Sequence, residues 1–446
     1  MGVEVEQELE GGPVPQVLHY KRSAPHQRRG ESMVARHGAI RSGLALVFVL
    51  CLVPQLAFAQ FEALRVEAKD LPGKIRVGPV RVHPYVGVKG TYTDNFFLTD
   101  SNEEEDWIGV FVPGITVHVP YKDRHLLELD YHAEIIRHSD FTHYDREDHH
   151  ASGLLEFKFP WGLDLKLADR YKQSATPPDF EGDTKDTYHY NDALIEAAYR
   201  LADRYTVKVN YRNVIKDFFA SENEDDNFVR NGGSVGLYYR IFPKTNILAE
   251  YTYYHMDNEG VGPLSTDNDN HHAWAGLEWE PGAKIKGGIK GGYTARRYDE
   301  LGTDEDVFGI EGDLTYLLSS FTSFHLQLER QIIQTEATRG ESIYGTHYIR
   351  TGGKLGVTYK FPFFSRGMHD LSTTLEGFYY NGDYRERGTA GRKRDDDVYG
   401  GSAQLKYTFW ERLAVIVRYR YQRNDSNFDI EEHKENRVYA EMFLVF

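Results

Sequence analysis

The side chains of this 446-residue chain that could do chemistry fall into three groups. The first is two histidine pairs set among acids: His149-His150 with Asp145 and Glu147, and His271-His272 with Asp267 and Asp269. Such sets can bind a metal or supply a general base. Neighbouring residues on an extended strand point to opposite faces, so adjacent histidines make poor chelating or dyad pairs. The 267–270 stretch also lacks the turn glycine of a dedicated calcium loop. The glycine pairs at 287–288 and 291–292 lie inside a strand pattern and cradle no phosphate. No catalytic residue, metal or cofactor is therefore expected, and the chain does not read as an enzyme.

The second group is a set of cations at every second residue of several stretches. These are Lys166, Arg170 and Lys172; Lys208 and Arg212; Lys286, Lys290 and Arg296; and Arg350, Lys354, Lys360, Lys406, Arg418 and Arg420. Acids take the same parity elsewhere, among them Glu128, Asp130, Glu134, Glu250, Glu278, Glu311, Asp313 and Glu376. The third group is the aromatics of that parity: Tyr238, Tyr254, Trp274, Phe378 and Tyr380. Two readings stand side by side. The charges can form cross-strand ion pairs, with the aromatics filling space beside Gly232, Gly276, Gly288 and Gly292. Alternatively, Arg350, Lys354, Lys406, Arg418 and Arg420, with Phe378 and Tyr380 to stack on sugar faces, form a track for an anionic or heavily hydroxylated solute.

These residues are positioned by alternation. From Val82 onward the chain repeats one unit: an alternating run, a tight turn, another run, then an acidic loop. The turns include Pro160-Trp161-Gly162, Phe242-Pro243-Lys244-Thr245 and Phe361-Pro362-Phe363-Phe364. The loops include 101–106, 221–227, 257–270 and 299–306. Short turns on one side and longer loops on the other mark a transmembrane antiparallel β-barrel. Counting gives about 18 strands, within a range of 16–20. An even count puts both chain ends on the periplasmic side. Aromatics beside the turns, such as Tyr121, Phe159, Trp161, Tyr205, Tyr239, Phe361, Phe363, Phe409 and Trp410, predict a periplasmic girdle.

Parity then separates lipid from lumen. Leu127, Leu129, Tyr131, Ala133 and Ile135 face out while Glu128, Asp130, His132 and Glu134 face in; Leu413, Val415, Val417 and Tyr419 face out while Arg418, Arg420 and Gln422 face in. A one-residue slip would place charges in hydrocarbon at about 2–4 kcal/mol for each Lys or Arg at the midplane, so register is fixed. The final ten residues alternate in the same way. Val438, Ala440, Met442, Leu444 and Phe446 share one face, the pattern that closes a barrel. It resembles the C-terminal signature of bacterial outer-membrane barrels, which implies recognition by the barrel assembly machinery.

At the other end, Met33 opens a leader with Arg36, Arg41, an apolar run over 44–56, and Ala57-Phe58-Ala59. That is the grammar of a secretory signal peptide, 33–59, cleaved near Ala59. The apolar run is shorter than the roughly 20 residues of a spanning helix. Residues 1–32 read as an over-extended start or leader, 60–81 as a periplasmic segment, and 82–446 as the barrel. Cys51, the only cysteine, lies within the leader, so the mature chain has no disulfide scaffold. The net charge of −16 argues against a nucleic-acid partner.

The run Arg76-Val77-Gly78-Pro79-Val80-Arg81-Val82-His83-Pro84, followed by Asp94-Asn95-Phe96-Phe97, resembles the opening of one barrel family. That is the outer-membrane β-barrel porin family associated with bacterial exopolysaccharide export clusters. The resemblance implies a pore that exports a polysaccharide, working with a periplasmic export protein. The alternative is a general or small-solute diffusion porin. Outer-membrane lipid and lipopolysaccharide are the expected surroundings, and the 385–395 loop, with Arg385, Arg387, Arg392, Lys393 and Arg394, is the one basic loop. It either touches lipopolysaccharide or solute, or is simply solvated.

Overall fold

The computed structural model describes residues 75–446 apart from 123, 176–186, 220–226, 259–265, 280–281, 283, 300–303, 335–344, 365–368, 388–390 and 410–411. The leader at 33–59 and the segment before it lie outside the described residues. Nineteen strands are described: β1 (Ile75–Val77), β2 (Val80–Thr93), β3 (Asp106–Tyr121), β4 (His125–His138), β5 (Arg146–Lys158), β6 (Leu163–Ala175), β7 (Thr187–Leu201), β8 (Tyr205–Phe218), β9 (Phe228–Phe242), β10 (Thr245–Asn258), β11 (Asn268–Trp279), β12 (Ile285–Tyr298), β13 (Glu305–Leu317), β14 (Thr322–Gln334), β15 (His347–Lys360), β16 (His369–Tyr384), β17 (Asp395–Phe409), β18 (Leu413–Ser426) and β19 (His433–Val445). Each of β2–β19 pairs antiparallel with its chain neighbours, and β19 returns to pair with β2. The result is a closed barrel of 18 strands.

Closure pairs each of β2–β19 on both sides, and the seam has its own fastenings. Asn436 donates to Asp94 through its backbone N–H at 2.7 Å and its amide at 2.6 Å. The fully buried Asn95 donates to the Lys434 carbonyl at 3.0 Å and the Thr99 carbonyl at 2.7 Å. Thr93 donates to Glu435 at 2.7 Å. The Asp94-Asn95 pair that carries the family resemblance is thus the clasp between first and last strands. The Gly-Pro half of the motif also has a physical role. β1 folds back on β2 through the two-residue loop Gly78-Pro79, with Gly78 at φ +63°, as a primed hairpin turn requires. Alternation alone places the barrel start at Val82; this small hairpin, which it does not anticipate, moves the start to Val80.

The tight turns fall at one end of the barrel, with the start of β2 and the end of β19, and the longer loops at the other. The outer face carries exposed Tyr121, Trp161, Tyr205 and Phe363 beside the turns. A second ring, which sequence reading had not picked out, lies toward the loops. There Tyr131 reaches His149 at 3.0 Å, Tyr211 donates to Asn231 at 2.8 Å, Tyr379 to Asp397 at 2.6 Å and Tyr419 to Asn436 at 2.6 Å. Each tyrosine presents its ring outward and its hydroxyl to a polar group one strand on, the amphipathic arrangement suited to a membrane–water boundary. On the last strand Val438, Ala440, Met442 and Phe446 are exposed and Leu444 half-buried, while Tyr439, Glu441, Phe443 and Val445 are buried within. Asp169 is an outward charge on β6; Asn191 of β7 donates to it at 3.3 Å.

Candidate functional site: the lumen wall

Parity on β15–β18 turns Arg350, Lys354, Phe378, Tyr380, Lys406, Arg418 and Arg420 to the interior, and register brings them onto one arc. Lys354 is opposite Phe378, Gly352 opposite Tyr380, Ser402 opposite Arg420, and Gln404 opposite Arg418. Arg350 pairs with Glu329 and lies 5.7 Å from the Tyr380 ring centroid; Lys354 is 3.6 Å from Glu376. Arg418 donates to the Gln404 amide oxygen at 2.9 Å and lies 6.0 Å from the Tyr439 ring. Arg420 donates to Gln422 at 2.6 Å and sits 5.5 Å from the Phe378 ring. The wall is built to seat these rings. A methyl at Gly400 would meet the Tyr421 carbonyl and, at 2.8 Å, Phe378 Cζ. Lys406 stands opposite Ser372 on β16 and Ile416 on β18, nearer the turns than the arginines.

A second arc, on β6–β14, lines a recess of about 330 Å³. Arg212 makes a two-pronged bond to Asp192 at 2.7 and 2.8 Å. Lys290 lies between Glu250 at 3.3 Å and Glu311 at 3.1 Å, and Lys208 is 3.9 Å from Glu278 on β11. An aromatic ladder runs through it: Tyr254 and His272 stack at 5.6 Å, and His272 and Trp274 at 5.9 Å with rings 6° from parallel. Lys290 lies 5.4 Å from the Trp274 centroid and Arg230 5.3 Å from that of Tyr254. Both open readings of the aromatics find support here. Tyr254 lies opposite Gly232 and Trp274 opposite Gly292, and the rings also present faces to the recess.

The loop-side mouth is partly covered. The basic loop at 385–395, for which contact with lipopolysaccharide or solute and simple solvation both stand as expectations, is bound at both of its ends by the protein itself. Arg385 donates to Glu305 of β13 at 2.9 and 3.1 Å and to Asp383 at 2.8 Å. The bond to Glu305 raises its pKa further above the ordinary arginine value, so it stays a cation. Arg394 is buried, donating to Asp396 at 2.8 Å and pairing with the fully buried Glu431 at 3.0 Å. Arg392 stacks over Phe428 at 4.0 Å. Contacts between non-neighbouring strands add to the cover: Gln334 of β14 donates to Asn258 of β10 at 3.2 Å, and Tyr298 of β12 meets His347 of β15 at 3.2 Å. These links join residues as much as 80 positions apart and leave no local trace in the sequence.

The histidine pairs behave as strand geometry requires. His149 faces out to Tyr131 and His150 faces in; His271 meets Tyr251 outside and His272 meets Thr294 inside at 3.2 Å. What adjacency could not reveal is the partner across the strand. His150 is in register with His132 of β4, and their rings stack at 4.6 Å and 9°.

Residues 72–446 match the family described as "Putative beta-barrel porin 2". No curated protein matches the sequence. Several solved structures are similar at low identity and low TM-score. They include a bacterial polysaccharide outer membrane secretin at 9% identity, covering 81% of this chain and 98% of that one, with a TM-score of 0.41. OccK2 (OpdF) of Pseudomonas aeruginosa is 12% identical, with 82% and 98% covered and a TM-score of 0.46. OccAB4 of Acinetobacter baumannii is 11% identical, with 82% and 98% covered and a TM-score of 0.46. A family match over nearly all of the described barrel, together with a closed cylinder that is apolar outside and charged within, places this chain in the "Putative beta-barrel porin 2" family, a channel-type barrel of the bacterial outer membrane.

Proposed function

We propose that this barrel is the outer-membrane pore through which an exopolysaccharide leaves the cell, with the β15–β18 arc as its track. The observation that carries this reading is the juxtaposition of Arg418 and Arg420, each donating to a glutamine amide, with Phe378 and Tyr380. Guanidinium groups attract the carboxylates or hydroxyls of a glycan, and aromatic faces stack on sugar rings. An eighteen-stranded barrel leaves an aqueous interior for such a chain. In this reading the 33–59 leader directs export to the periplasm and is removed near Ala59, leaving 60–81 on the periplasmic side. The last strand is read by the barrel assembly machinery, lipopolysaccharide surrounds the loop side, and a periplasmic export protein delivers the glycan. The barrel is a conduit and performs no catalysis.

A small-solute diffusion porin is the second reading, favoured by the β6–β14 recess, whose 330 Å³ is of small-ligand size. A deletion strain separates the two. Loss of surface polysaccharide with unchanged small-solute uptake supports export; unchanged polysaccharide with reduced uptake refutes it. Within the export reading, replacing Lys354, Lys406, Arg418 and Arg420 together by Gln lowers secretion at equal levels of folded barrel. Equal secretion at equal barrel levels eliminates the track.

A further inference from the structure

On the lumen side of β4 and β5 three potential ligands converge. His132, His150 and Glu134 each offer one ligand atom within 4.8 Å of the others. Both histidines are buried and directly paired across the strands, and Glu134 lies two residues beyond His132 on the same face. Behind them is a supporting shell. Asp130 meets His132 Nδ1 at 3.2 Å, and is itself fixed by Thr116 Oγ1 at 2.6 Å and by the Tyr85 hydroxyl at 3.3 Å. A carboxylate on Nδ1 assigns the proton there and leaves Nε2 as the coordinating nitrogen, the arrangement that orients metal-bound histidines elsewhere. Lys172, in register with His150 on β6, has its ammonium 5.5 Å from the Tyr188 ring centroid. The other acid in register here, Asp148, is engaged by Ser174 at 2.7 Å and Arg146 at 3.3 Å.

We propose that His132, His150 and Glu134 form a lumen-wall site for a divalent first-row transition metal such as Zn²⁺, Ni²⁺ or Cu²⁺. Two imidazoles and one carboxylate are a borderline donor set that selects these ions over Mg²⁺ or Ca²⁺. Three protein ligands leave a coordination position open toward the lumen. The bound ion adds positive charge to a stretch of wall that carries Glu134, Asp130 and Asp148, and so alters the field met by a passing anion.

The test uses the whole chain folded in detergent micelles, with folding verified by heat-modifiable migration. Zn²⁺ binding is followed by equilibrium dialysis and Cu²⁺ coordination by electron paramagnetic resonance. The expected result is one saturable Zn²⁺ equivalent in the micromolar range that His150→Ala removes, and nitrogen hyperfine structure from two imidazoles that falls to one. His149→Ala is the internal control, changing the adjacent but outward imidazole, and retains the equivalent. Glu134→Gln and Asp130→Asn, which keep both rings in place, weaken binding about 10-fold or more; these variants decide the matter if the histidine variants misfold. The proposal is overturned if wild type takes up no saturable equivalent, if His150→Ala and Glu134→Gln bind as wild type does, or if His149→Ala loses as much as His150→Ala.

Discussion

On the wall from β8 to β13, Lys208, Arg212 and Lys290 each meet carboxylates, with Lys290 shared between two. On β17 and β18 the arginines are held differently: Arg418 donates to Gln404 and Arg420 to Gln422, with the buried carboxylates of Glu441 and Glu435 within their electrostatic reach. An ion pair spends its field internally, while an amide fixes the geometry of a guanidinium without cancelling its charge. The same distinction runs through the aromatics. Trp274 is nearly fully buried in its ladder, whereas Phe378 and Tyr380 are half-buried beside charge. The cations of the β8–β13 wall are therefore ion-paired, whereas the β15–β18 arc combines ion pairs at Arg350 and Lys354 with arginines bonded to amides.

Six substitutions test that division, each measured first as a shift in urea midpoint of the folded band in lipid. Trp274→Ala empties a packed site and should cost about 3 kcal/mol, against about 1 kcal/mol for Phe378→Ala; equal losses would erase the contrast between the two sets of rings. Lys290→Met leaves Glu250 and Glu311 facing each other and should cost about 2 kcal/mol, allowing for the wet lumen. Gly400→Ala, whose methyl would meet the Tyr421 carbonyl and the Phe378 ring, should cost about 1–2 kcal/mol. Gly377→Ala on the outer face, with its nearest neighbour at 3.8 Å, should stay within about 0.5 kcal/mol. Arg418→Gln should also leave stability within about 0.5 kcal/mol, yet shift the reversal potential of single barrels in planar bilayers toward cations. A large stability loss with unchanged selectivity would show that Arg418 belongs to the wall after all.

Much of the fold was legible because a membrane barrel leaves so few options. With lipid outside and water inside, each strand must alternate, and register cannot slip without burying charge in hydrocarbon. That is why the strand count and the inward parity of each strand can be read from the sequence, while exact strand starts shift by a few residues. The turns were equally explicit, carrying Pro, Gly and aromatic residues at the boundary. Less visible was the Ile75–Val77 strand of the first hairpin, three residues long and without an alternating run to announce it. The tyrosine ring toward the loops also escaped notice, since each member is half of a pair whose other half lies on the next strand.

The candidate site divides along the same line. Which side chains enter the lumen follows from parity, so Arg350, Lys354, Phe378, Tyr380, Lys406, Arg418 and Arg420 were identifiable as inward, and their adjacency follows from consecutive antiparallel pairing. What each one touches was not identifiable. Glutamine amides or carboxylates as partners, and the stacking of His132 on His150, depend on which of the registers that parity allows is adopted, since a two-residue shift keeps every side chain on its own face. The inward turn of Arg385 and Arg394 depends on loops folding over the mouth to meet Glu305 and Glu431.

By itself, then, the sequence determined the closed cylinder, its two faces and its inventory of inward charge, because period-two alternation against lipid admits a single solution. Only the tertiary structure decided which charges pair with carboxylates and which bond to amides, because pairing across a barrel is a property of the assembled wall and not of any one strand.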